Sequence, residues 1–511
     1  MNARPPDGTI VPHAAVLARG ALFNTLAFLV SNLRGIFTFL VARLLGGAVL
    51  GTFGLAWAAT DLVSKLATCG FDTGAIAEVA RRDGIGDRAG SRRVMRFSLT
   101  MALSVAATIA MAGAFAVWML GARFGLRPEL ARATAVMLLG LPGIVLYRVS
   151  NALSRGKGVM QHDIYSRGFT ESLSTAAALL LAFAFGARAL APEIAAIAGT
   201  LSGGVVAFVF ARGLFSGAPV SSKRPGERGE LLRASLPIAM YDLLNIGIMQ
   251  IDLIMLGFFV GRAPGVTLES LGVYAAAMDV AGGLRKVNQA FNPIFIPVVA
   301  QQLTTGRLDE AQRTYGHLAR WMLAVLLPGV AVLAIAGPSV MAIYGPVFRG
   351  GGVWVAVIAA ACALNAFVAL GETVLVVQHP RVNLINSIVA LTAAIALNLV
   401  LIPALGPLGA AIGMLVPYGV QGVLRGIEIT WLLGWTWPWR ALLRPWTAAM
   451  AALPPALVVR ALGTGVPFEL TAAAVYLAGY FGVWWIVGLD ESDRDVLAHF
   501  FPSRAVVTES A

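Results

Sequence analysis

The side chains of this sequence that could do chemistry are ionisable groups set inside long apolar runs: Arg34, Asp61, Lys65, Arg148, Glu171, Asp242, Asp252, Asp279, Arg285, Lys286, Glu372 and Glu428. A charge at the centre of a lipid-spanning helix costs about 2.5–3.5 kcal/mol on insertion scales, so such groups face a polar cavity or one another. Asp61 and Lys65 are four residues apart, on one helix face and able to pair. Asp279 and Lys286 are seven apart, again on one face. Two readings of these pairs stay open: they neutralise themselves and stabilise packing, or they form a polar lining for a charged cargo. Arg34 lies mid-segment in Ser31-Asn32-Leu33-Arg34-Gly35, too deep to snorkel with ease. Asp252 is deep in Gln250-Ile251-Asp252-Leu253 and is either a contact between halves of the chain or an ion or proton site. Arg148, Glu171 and Glu428 lie near segment ends, where reaching the interface is cheap and a structural role is expected.

Other chemistries find no residues to carry them. No G-x-x-x-x-G-K-[ST] phosphate loop occurs, which argues against direct ATP coupling. The five histidines are scattered, so no metal site or catalytic set is expected, and the chain is not read as an enzyme. Cys69 and Cys362 both sit in apolar runs, as small packing residues do. The net charge of +12 could suggest nucleic acid, but the basic residues fall in short connections, where they act as topology signals. No nucleic-acid partner and no cofactor are expected.

The elements that must position the buried charges are transmembrane helices. Hydrophobic residues make up 58% of the 511-residue chain and charged ones 13%. A run of about 20 apolar residues spans the hydrocarbon core as a helix, because in lipid every backbone amide must pair within its own segment. About fourteen such runs are expected: 18–44, 49–70, 97–121, 129–151, 168–188, 192–215, 233–260, 270–300, 318–343, 352–377, 384–404, 408–431, 445–461 and 467–488. With both termini inside, 25 of the 38 Lys and Arg residues fall on the cytoplasmic connections and 8 on the opposite side, the rest lying within segments. The polar, Pro-rich start is expected to be an uncleaved cytoplasmic tail. Pro142, Pro237, Pro293, Pro297, Pro328 and Pro417 fall within or at the ends of segments, where each can bend its helix.

A weak internal echo divides the chain. Leu50-Gly51-Thr52-Phe53 precedes Lys65, and Leu271-Gly272-Val273-Tyr274 precedes Lys286, with fourteen residues from Gly to Lys in both. Lys65 and Lys286 therefore hold echoed positions, which favours the polar-lining reading. The expected organisation is a cytoplasmic tail (1–17), a six-helix lobe (18–220), a basic linker (221–232), a second six-helix lobe (233–431), two further helices (445–488) and a cytoplasmic tail (489–511). Duplicated halves with a site at their interface are common in secondary transporters.

Several stretches together resemble the polysaccharide-export branch of the multidrug/oligosaccharidyl-lipid/polysaccharide exporter superfamily, the Wzx-type flippases. They are Arg34-Gly35 leading to Ala42-Arg43-Leu44-Leu45-Gly46, Gly70-Phe71-Asp72-Thr73-Gly74 leading to Glu78-Val79-Ala80-Arg81, Ser235-Leu236-Pro237, Ile251-Asp252-Leu253-Ile254-Met255-Leu256-Gly257, Tyr344-Gly345-Pro346-Val347-Phe348, and Ile402-Pro403 with Gly406-Pro407-Leu408-Gly409. The resemblance implies an all-α polytopic membrane protein, two pseudo-symmetric six-helix lobes around a central cavity plus two C-terminal helices. It implies moving a polyprenyl-pyrophosphate-linked oligosaccharide across the bacterial inner membrane for O-antigen, capsule or exopolysaccharide synthesis. Arg34 matches the arginine of the family's first helix and takes the role of a cavity cation; Lys65, Arg285 and Lys286 join it by position and chemistry. The family suggests H⁺ or Na⁺ coupling, for which Asp61, Asp252, Asp279 and Glu372 are the candidates. A polysaccharide polymerase and a chain-length regulator are implied as partners, beside membrane lipid. The alternatives are a cation-coupled small-molecule exporter or a peptidoglycan-precursor flippase of the same superfamily.

Overall fold

The computed structural model describes residues 33–123, 125–217, 226–437 and 439–488, and all regular elements among them are helices. They are α1 (Leu33–Leu45), α2 (Gly47–Ala67), α3 (Phe71–Gly84), α4 (Arg88–Leu120), α5 (Pro128–Leu138), α6 (Leu141–Gly156), α7 (Ser172–Ala184) and α8 (Ala191–Leu214). There follow α9 (Glu227–Phe258), α10 (Leu268–Arg285), α11 (Val287–Thr304), α12 (Leu308–Ala342), α13 (Gly352–Gln378), α14 (Pro380–Leu405), α15 (Pro407–Leu433), α16 (Trp439–Ala461) and α17 (Val466–Val483). The expected tails, most of the first segment and residues 221–225 of the linker lie outside the described residues, as does the Arg34 side chain.

Ten helical stretches are long and apolar enough to cross a membrane, or eleven if α5 and α6 form one bent span. The three remaining sequence segments fall outside that count for separate reasons. The first is described only from Leu33. The fifth opens as a π-helical stretch, Ile164–Glu171, carrying Arg167 and Glu171, so its regular apolar part is the 13 residues of α7. The eighth is interrupted at Lys286, between α10 (to Arg285) and α11 (from Val287), and each 18-residue piece is long enough but too polar to qualify. The expected helix 129–151 is likewise two helices, meeting at 42° across Leu139–Gly140 with Pro142 in the first turn of α6. Proline suits a first turn because its missing N–H has no acceptor there. Pro237, Pro328 and Pro417 lie inside continuous helices.

The contacts group into two compact units. One comprises residues up to Gly283 with Ile343–Phe348 and Leu384–Pro417; the other comprises Leu284–Ala342, Arg349–Asn383 and the chain from Tyr418 onward. This cut does not follow the 221–232 boundary drawn from the sequence, because α9 and most of α10 pack with the first unit. The core of the first unit is built by Ala67, Phe71, Val79, Val94, Leu99, Val145 and Val149, from α2, α3, α4 and α6. The second unit has one core around Tyr315, Met322, Leu370 and Trp435, and another where α16 and α17 lie on α12 through Ala324, Ala452, Tyr476 and Tyr480. Large apolar side chains such as Met111, Phe115 and Trp118 on α4 and Met450 and Leu457 on α16 are exposed, as a lipid-facing surface requires.

The echoed motifs meet inside the first unit. A Cβ on Gly51 would stand 2.2 Å from the Leu268 carbonyl oxygen, and one on Gly272 would stand 1.9 Å from that of Gly47. Each echoed glycine thus faces the backbone of the other's helix in a reciprocal contact. Small residues of this kind let two membrane helices touch backbone to backbone.

Candidate functional site

The ionisable groups of the first unit form linked networks at the inner faces of α2, α3, α6 and α9. At the end of α2 the chain turns through Cys69 (φ 52°) and Gly70 (φ 77°), two consecutive left-handed residues. This break in the Gly47–Gly84 span separates α2 from α3, and across it Asp72 in the first turn of α3 meets Lys65 in the last turn of α2. Lys65 Nζ lies 2.5 Å from Asp72 Oδ2 and 3.1 Å from Asp242 Oδ2 on α9. Thr68 donates to Asp72 at 3.1 Å and Thr73 donates to Asp242 at 3.2 Å. The approach of α9 to this corner needs glycine at position 70: a Cβ there would lie 2.2 Å from the Ser235 carbonyl oxygen, besides the strain of its positive φ.

One turn earlier in α2, Asp61 accepts from Arg148 on α6 at 2.5 Å and from Gln250 on α9 at 3.2 Å. Asp252, fully buried on the same helix, accepts from the Tyr274 hydroxyl of α10 at 2.5 Å. Asp279 on α10 accepts from Thr38 of α1 at 2.5 Å. Hydrogen bonds to an ionised acceptor are the stronger kind, and in a water-poor interior they fix the helices that carry them.

The second unit has its own pairs. Arg425 on α15 is 3% exposed and lies 3.1 Å from Glu372 on α13; it also donates to Asn383 at 3.1 Å and to the Val368 carbonyl at 3.3 Å. Arg285 donates to the Cys362 sulfur at 3.4 Å. Glu469, 1% exposed in the first turn of α17, accepts from Arg349 at 2.6 Å, from Arg460 at 3.2 Å and from Ser339.

These partners correct the pairing drawn from spacing. Asp61 and Lys65 share a helix but are held by different groups, since α6 and α9 bring a guanidinium and a carboxylate closer than the i,i+4 neighbour. Asp279 accepts from Thr38 of α1, and Lys286 stands in helical conformation one residue past the end of α10. Arg148 does not snorkel: its side chain is 14% exposed and reaches Asp61. Arg425, Arg349 and Arg460, counted from sequence as basic residues of connections, make ion pairs on helices or helix ends. Sequence reasoning passed over Asp72, Gln250, Tyr274 and Glu469. Asp72, Gln250 and Tyr274 stood in quoted stretches without a role and Glu469 in none; their roles needed knowledge of which helices touch. Among the described residues no group of three or more His, Cys, Asp or Glu could hold a metal ion.

Comparison with known proteins places this geometry. A search of curated proteins finds the probable flippase AglR of Haloferax volcanii, 26% identical over 190 residues. That stretch is 36% of this chain and spans 38% of the relative's length. The fold is similar to that of the lipid II flippase MurJ in an inward closed conformation, with a TM-score of 0.70 at 12% identity, covering 93% of this chain and all of that one. It is also similar to an inward-facing multidrug resistance MATE transporter of the MOP superfamily, with a TM-score of 0.67 at 18% identity, covering 80% of this chain and 94% of the other. At these identities the likeness is one of fold. Residues 17–301, more than half of the sequence, match a single family, and the chain accordingly belongs to the polysaccharide biosynthesis protein family.

Proposed function

We propose that this protein flips a polyprenyl-pyrophosphate-linked oligosaccharide from the cytoplasmic to the outer leaflet of a bacterial inner membrane, for the synthesis of a surface polysaccharide. The observation that carries the reading is the family match over residues 17–301 in a chain built of membrane-spanning helices. A lipid-linked sugar has hydroxyls and phosphates that would lose their hydrogen bonds in hydrocarbon, so it does not cross unaided. Two six-helix lobes that open a polar cavity to one side at a time remove that penalty, with the two C-terminal helices added to the second lobe. In this reading both termini are cytoplasmic. Arg34, Lys65, Arg285 and Lys286 attract the pyrophosphate, and Asp61, Asp252, Asp279 and Glu372 serve coupling to a proton or sodium gradient. A polymerase and a chain-length regulator act on the product.

Reconstituted vesicles with and without the protein, loaded with a lipid-linked oligosaccharide, test this directly. Appearance of the sugar on the opposite leaflet only with the protein is expected. A chain that moved a peptidoglycan precursor or a small drug-like molecule instead would belong to one of the alternative transporter classes. Arg34→Ala and Lys286→Ala are expected to cut surface polysaccharide at unchanged protein level; normal polymer output from both would remove the cavity cations from the scheme.

A further inference from the structure

Glu193 stands in the first turn of α8, directly after Pro192, and its residue is 0% exposed. Neither of its carboxyl oxygens has a hydrogen-bond partner on another described residue, its own backbone N–H being the one donor beside it. It differs in this from Asp61, Asp72, Asp242 and Asp279, each of which accepts from a named donor. The basic groups on elements packed against α8 are engaged elsewhere: Arg148 with Asp61, Lys65 with Asp72 and Asp242, Arg132 with the Pro128 carbonyl, Arg155 with that of Asp72, and Arg167 over the Tyr147 ring. Arg188, in the turn before α8, sits over the Phe183 ring. His162 contacts Ser154, and Asp163 accepts from Asn151. Glu129 and Glu171 carry the wrong sign to neutralise a carboxylate, and α7 brings no ionisable residue. The helix N-terminus favours a negative charge, but that contribution is smaller than the desolvation of an unpaired carboxylate. An isolated buried acid in such surroundings takes up a proton instead of staying ionised.

We propose that Glu193 is a proton-binding site, a carboxyl that holds its proton in this conformation, and that it joins Asp61, Asp252 and Asp279 among the groups of the first unit through which a proton gradient acts on transport. The second clause rests on the flippase reading above; the first does not. The site takes a proton and no metal, since several oxygen ligands would be needed for a metal and no such cluster exists among the described residues. In the sequence Glu193 stands at the very start of segment 192–215, where a charge usually reaches water.

Infrared difference spectroscopy on the purified full-length protein in lipid vesicles, wild type against Glu193→Gln, reads proton occupancy without any substrate. The amide is the isostere of the neutral acid, so the variant is expected to fold and melt as the wild type does. The expected result is a protonated-carboxyl band at pH 7 that shifts in D₂O and is lost in E193Q. Equal bands in both proteins would overturn the site. In vesicles carrying a lipid-linked oligosaccharide, an imposed pH gradient should accelerate the wild type, and E193Q should lose about tenfold or more of that acceleration. A lost band with a full gradient response would overturn the coupling role. A wild type that moves no substrate at all would sink the flippase reading, and the infrared result would then decide the proton site by itself.

Discussion

Lys65 serves two carboxylates at once, Asp72 and Asp242, so its ammonium is spoken for within the first unit. The cluster carries one more negative charge than positive. Removing Asp242 leaves a balanced pair, whereas removing Lys65 leaves two carboxylates facing each other in a partly buried place. Lys65→Met is therefore expected to destabilise more than Asp242→Asn, and a double-mutant cycle on thermal unfolding should return a coupling of about 0.5–3 kcal/mol. A coupling near zero would mean the contact is incidental. The sequence pointed to Lys65 and Asp242 but not to Asp72, and set Lys65 beside Asp61 instead. Spacing pairs Asp61 with Lys65 because i,i+4 neighbours are the only contacts a lone helix offers, yet such pairs give only about 0.2–0.5 kcal/mol. A guanidinium from a neighbouring helix, confined in a poorly solvated site, outcompetes that. Asp72 follows Lys65 by seven residues, two turns away on a straight helix and too far to bond. The left-handed pair Cys69–Gly70 interrupts the helix between them, and a left-handed cysteine announces itself in no pattern.

At the scale of elements, apolar runs located most helices because lipid leaves the backbone no other choice. They missed the breaks. Nothing in the hydropathy of 270–300 marks a turn at Lys286, and the π-helical stretch Ile164–Glu171 reads as ordinary polar helix. The echo of Leu50-Gly51 in Leu271-Gly272 was legible as a repeat but not as a contact. The structure gives it a reason: α2 and α10 cross where both lack a side chain. Gly272→Leu forces a side chain into the Gly47 carbonyl and must spread the helices. The expected outcome is a melting temperature several degrees lower in detergent, with Gly282→Leu on the same helix, where an added Cβ meets nothing within 4 Å, as the control. An unchanged melting temperature for G272L would show that the crossing is looser than drawn.

Over the whole molecule, the alternation of basic connections is the strongest topological signal and predicts sidedness connection by connection. In a chain with Cys69→Ala and Cys362→Ala, a membrane-impermeant maleimide should label Arg123→Cys in intact spheroplasts and Arg88→Cys only after permeabilisation. The reverse pattern would invert the orientation. What composition could not supply is how the arginines settle once the chain is assembled, and Arg425 is the plainest instance, nearly sealed from solvent between Glu372, Asn383 and Val368. An arginine at the middle of a helix weighs against entry into lipid by about 2.5–3.5 kcal/mol on translocation scales. Its acceptors belong to α13 and α14, which leave the ribosome earlier. The order of synthesis therefore has the receptor waiting before the cation arrives, and α15 becomes a comfortable resident of the bilayer only beside older neighbours.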